Sequence, residues 1–148
     1  MNNLEVDSRQ VINLFSELNS RQQRQVYRNA LRRAAGILSR ETRIQLKNVV
    51  GRAINHRNRW NNKTLASGIK AKVDREGTEA KVHIMGDFRL KFFEMGTTVR
   101  RLRRDGANRG RINASYFFRT AKQNKEQEVF DTLDSLITQS IQRASNRR

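Results

Sequence analysis

Six arginines, Arg100, Arg101, Arg103, Arg104, Arg109 and Arg111, fall within twelve residues and are relieved only by Asp105. A guanidinium fork matches phosphate oxygens and carboxylates alike, so the chemistry on offer is anion recognition rather than proton transfer. No aromatic residue interrupts the run, which argues against stacking on single-stranded bases and for backbone contact without sequence readout. A second group, Arg21, Arg24, Arg28 and Arg32, recurs at steps of three and four. On a helix that spacing makes a like-charged stripe, each pair costing about 0.2–0.5 kcal/mol unless an anion lies alongside. It reads either as a solvated face or as a binding face.

Catalytic chemistry has less to work with. Ser67, His83 and Asp87 can be drawn as a triad, but such residues occur in most chains, and His83 alternates with Val82 and Ile84 as an outward-facing strand residue. Glu76, Glu79, Asp87 and Glu94 have no spacing that implies a catalytic pair. Glu94, between Phe93 and Met95 at the end of an apolar strand, is expected to be buried and to need a cation, with Arg119 or Arg100 as candidates. The eight glycines contain neither phosphate-cradling motif. With no cysteine, thiolate metal sites and disulfides are excluded, and His56 and His83 are the only imidazoles. No catalytic, metal or cofactor residue is assigned, and a non-enzymatic protein is expected.

The elements that must carry these residues follow from periodicity. The 148 residues suit a single domain. Asp7 with Gln10 resembles a capping box for an N-terminal helix over residues 1–19, with Val11, Leu14, Phe15 and Leu18 as its stripe. Ser20 with Gln23 repeats the signal for a long helix over 20–55, whose expected buried face is Tyr27, Ala30, Leu31, Ala34, Ile37, Leu38, Ile44, Val49 and Ile54. Unbroken, it would span about 50 Å, so it is expected to bend at Gly36 or Gly51 or to project onto a neighbouring molecule.

After a polar loop, residues 64–118 are expected to form an antiparallel sheet of about 3–5 strands: Leu65 to Val73, Ala80 to Ile84 beyond a Glu76-Gly77 turn, and Leu90 to Met95. The basic loop occupies 97–111, and a C-terminal helix runs over 119–145 with Ala121, Val129, Leu133, Leu136, Ile137, Ile141 and Ala144 inward. The class is α+β, an antiparallel sheet packed by a long N-terminal helix and a C-terminal helix. No apolar stretch approaches a membrane span, and a soluble protein folding in a reducing cytoplasm is expected. The net charge of +17 divides unevenly: residues 1–60 carry +8 and residues 100–119 carry +6.

Two segments resemble a known family. Phe93-Glu94-Met95-Gly96-Thr97, a variable polar loop, and then Ala114-Ser115-Tyr116-Phe117-Phe118-Arg119-Thr120-Ala121 are similar to the tail-completion or neck proteins of long-tailed bacteriophages. Thr64-Leu65-Ala66-Ser67-Gly68-Ile69 resembles the segment following that family's long helix, and Tyr116 stands where the family usually has proline. The resemblance implies a small α+β subunit without enzymatic activity that forms a ring, typically hexameric, at the head-tail junction, in the virion after assembly in the host cytoplasm. It further implies that Gly96 supplies a turn, that Phe93 and Phe117 or Phe118 pack beneath the loop, and that Glu94 and Arg119 anchor its two ends. Expected partners are further copies, other neck, connector or tail proteins, and non-specific genomic DNA, with no membrane. Charge alone supports an alternative, a stand-alone DNA-binding protein that uses the loop and the helix stripe for phosphate contacts.

Overall fold

A computed structural model describes residues 20–146; the helix expected over 1–19 lies outside the described residues. Helix α1 (Ser20–Val50) passes through Gly36 without a break. Its 31 residues extend about 46 Å at 1.5 Å each. It stops short of the expected residue 55, because Gly51, at φ 57°, opens a 3-10 turn over Gly51–Asn55.

The buried face of α1 is Ala30, Ala34, Ala35, Ser39, Thr42 and Leu46. Small side chains let a second helix approach closely, and α1 packs chiefly against the C-terminal helix α3 (Phe117–Ser145). The two buried hydroxyls are satisfied within the helix, Ser39 Oγ donating to the Gly36 carbonyl and Thr42 Oγ1 to that of Leu38. Of the expected inward residues, Tyr27, Ile44 and Val49 are instead exposed. Apart from Leu46, the stripe follows the small residues and not the large aliphatic ones.

The sheet is smaller than expected, with two strands, β1 (Lys70–Val73) and β2 (Ala80–His83), paired antiparallel with Lys70 opposite His83. A lone hairpin is marginal in water, and this one lies against α1, its turn at Gly77 meeting the Arg24 carbonyl and the Arg28 side chain. Leu65–Gly68, expected as the start of a strand, is a 3-10 turn.

The expected third strand is also absent, since Arg89–Met95 is helix α2. Its start explains the difference. The buried Asp87 carboxylate accepts the Arg89 N–H at 3.0 Å and the Arg89 guanidinium at 2.6 Å, while the Leu90 N–H reaches the Asp87 carbonyl. That turn commits a short apolar run to a helix, with Leu90 buried on one side. Leu46, Ile54, Leu65, Ile69, Ile84, Leu90 and Phe117 then close one core where α1 ends and α3 begins.

The Arg89 side-chain hydrogen bonds hold the Asp87 carboxyl below the ordinary aspartate range, outweighing desolvation. A depressed folded-state pKa stabilises the fold above the unfolded value and is lost as pH falls through the folded one. Asp87→Asn is therefore expected to lower the urea midpoint at pH 7, the gap to wild type closing as pH falls through and below the depressed Asp87 range. A pH series of urea denaturation curves checks this, and a gap independent of pH would refute it.

Candidate functional site

The arginine-rich connection is an ordered arm. The Thr97 N–H donates to the Ile112 carbonyl (2.8 Å), Arg100 to Gly110 (3.0 Å), Arg109 back to Arg100 (2.7 Å) and Leu102 to Ala107 (3.0 Å), with Arg101 and Asn108 bridged. Asp105 and Asn108 carboxyl and amide oxygens accept the Ala107 and Gly110 N–H groups, shaping the tip and its return. All six arginines are exposed, and none joins an ion pair among the described residues.

The base of the arm is built by the two segments flanking it. The Glu94 carboxylate accepts the backbone N–H groups of Phe118 (2.8 Å) and Arg119 (3.2 Å), so it neutralises the amide-rich N-terminus of α3. Its partner is thus the helix end, in place of the expected guanidinium of Arg119 or Arg100. The Arg119 guanidinium lies 5.1 Å from the Tyr116 ring centroid instead. Ser115 donates both its N–H (3.0 Å) and its hydroxyl (2.6 Å) to the Phe93 carbonyl.

Phe117 is buried in the core with Phe93 and Phe118 packed against the same cluster, and Ala121 is buried one turn on. Gly96 stands at φ 75° and ψ −179°, facing the backbone of Ile112 and Ala114 across the arm. Tyr116 has φ 51°, a value closed to proline, so the backbone here differs from one that places proline at this position.

No protein-family model, curated protein or solved structure matches the chain. The geometry therefore has to carry any functional reading.

Along α1, Arg21, Arg24, Arg28 and Arg32 line one concave groove of about 480 Å³, joined there by Arg75 from the hairpin. Arg24 pairs with Glu76 at 3.0 Å, and Arg28 Nε is buried with no hydrogen-bond partner. Sequence reasoning missed Arg75, because the fold-back of the β1-β2 turn onto α1 leaves no periodic trace. It also passed over Trp60, which sits 90% exposed on a loop ordered by Asn58.

The triad residues are engaged separately. Ser67 Oγ donates to the Thr64 carbonyl, His83 Nδ1 accepts the Met85 N–H, and Asp87 holds Arg89. Among the described residues no three His, Cys, Asp or Glu side chains are placed to hold a metal ion, and no helix is long and apolar enough to cross a membrane.

Proposed function

We propose that the chain is a non-enzymatic structural subunit of a bacteriophage or prophage virion, forming a ring, hexameric by the resemblance, at the head-tail junction or tail-completion site. The observation that carries this reading is the convergence of both resembling segments on one construction. Phe93 to Thr97 and Ala114 to Ala121, separated in sequence, are tied together through Glu94 and Ser115 at the base of an ordered arm whose six arginines are exposed and join no ion pair among the described residues. An arm of that kind is useful to an assembly subunit. Six copies, each with a net +5 over residues 100–111, would place +30 around one ring, a density that needs an anionic counterpart in a neighbouring protein or the genome.

Light scattering and electron microscopy of the purified protein, alone and with portal and tail-tube proteins, test the reading. Ring-shaped particles are expected; a persistent monomer that joins no particle overturns it. The second reading, a stand-alone DNA-binding protein, is favoured by the five-arginine groove and the orphaned Arg28 Nε. It requires steeply salt-dependent DNA binding by the monomer that weakens when Arg101, Arg103 and Arg104 become alanine.

A further inference from the structure

We propose that the arm of one copy, together with the apolar face of α2 beside it, docks on the outer flank of α3 in the next copy. The inference rests on the ring reading and supplies its interface. Phe88, Phe92 and Met95 are 60%, 40% and 64% exposed, and their spacing sets them on one side of α2, opposite the buried Leu90. The Phe88 and Phe92 rings meet edge to face at 6.0 Å, and the exposed Val99 continues the apolar surface toward the arm. Exposed aromatic and methionine side chains bordered by arginines have the composition of an interface centre with its rim. A nucleic-acid backbone would satisfy the arginines and leave those apolar groups in water.

The complementary surface lies on the same chain. Residues 126–134 contain Glu126, Glu128, Asp131 and Asp134 with no cation among them, the only such stretch in a chain of net charge +17. All four are exposed. Glu128 is held by Lys125, whereas Glu126, Asp131 and Asp134 join no ion pair among the described residues. Phe130, 60% exposed, lies one helical turn from both Glu126 and Asp134. A phenyl ring between carboxylates suits guanidinium groups twice over, through ion pairs and through the ring face.

A single copy does not join these surfaces. The arm is anchored at the first turn of α3, while Glu126 lies nine residues beyond Phe117, about 13 Å along the helix, and no ion pair links them. Because the arm and the flank are different patches, their contact is heterologous, and repetition closes into a ring or runs on as a filament. The arm's own hydrogen bonds fix its backbone beforehand, which reduces the ordering cost of docking.

Sedimentation velocity on three variants decides the matter. Arg101→Glu, Arg103→Glu and Arg104→Glu together, or Glu126→Arg, Asp131→Arg and Asp134→Arg together, are each expected to weaken self-association about a hundredfold or more. Both are expected to keep the wild-type circular dichroism and melting transition. The chain carrying all six reversals should regain assembly, which separates charge complementarity from damage to the fold. If wild type assembles and either triple variant assembles as well, or if the six-fold variant stays monomeric, this interface is wrong while the ring reading stands. If wild type never self-associates, alone or with portal and tail-tube proteins, both fall. Loss of DNA binding in the arm variant with assembly intact would assign the arm to nucleic acid and overturn the proposal.

Discussion

Phe117→Ala is expected to lower the unfolding free energy by about 3–5 kcal/mol. The ring is buried among Leu46, Ile54, Leu65, Ile69, Ile84 and Leu90, contributed by α1, both 3-10 turns, the hairpin flanks and α2. The loss combines the transfer of a phenyl group with a cavity that persists. Against a total stability of about 5–15 kcal/mol for a domain of this size, the variant stands near the threshold of folding. Phe118→Ala, at the half-buried edge of the same cluster, is expected to cost about 1–2 kcal/mol. Guanidinium denaturation of the two variants side by side is the measurement, and equal losses would show that Phe117 is not the centre of the core.

The same core shows where hydropathy is informative and where it is not. The start of α1 was legible, because Ser20 opens a long segment of good helix formers, whereas its end came at Val50 and not at the expected residue 55. Its buried face was less so. Ile44 and Val49 outrank Ser39 and Thr42 on any apolar scale, yet the hydroxyl residues are inside, since each returns its donor to the preceding turn and lets α3 come close. The segment from Leu90 to Met95 failed for a different reason. A six-residue run with four apolar residues fits either period, and the choice was made by Asp87 and Arg89, a pair whose significance depends on burial that the sequence does not display.

At the candidate site, the six arginines and the α1 stripe were legible as charge, because charge is a property of composition. Their setting was not. The ladder of the arm is made of backbone groups along a mainly polar segment with no alternation to betray it, and Arg75 joins the groove only through the hairpin's return onto α1. Glu94 was legible as a carboxylate in need of a partner, but a helix N-terminus offers two N–H donors where sequence reasoning looked for a cation. The exposed side of α2 was hidden by its expected identity as a strand, which would have placed Phe92 and Phe93 on opposite faces of a sheet.

Gly96→Ala is expected to cost about 3 kcal/mol or more, with its damage concentrated at the base of the arm. At φ 75° and ψ −179° the backbone occupies a region essentially restricted to glycine, and a side chain there is strained by about 1–3 kcal/mol. Steric conflict adds to that, since an added Cβ would lie 2.7 Å from the Ala114 nitrogen and 2.8 Å from the Ile112 oxygen. Both are backbone atoms of the returning strand, so no rotamer change relieves them. That Ile112 oxygen also accepts the Thr97 N–H, and the Ile112 N–H donates to Thr97 Oγ1 at 2.9 Å. Separating the strands by enough to fit a methyl group therefore breaks the first rung of the arm. Gly106→Ala, at φ 67° with open space around it, carries only the conformational cost of about 1–2 kcal/mol. The difference between the two variants in urea denaturation isolates the packing at Gly96. Hydrogen exchange should show faster loss of protection at Thr97 and Ile112 in Gly96→Ala alone, and equal exchange in both variants would mean that Gly96 does not clamp the arm.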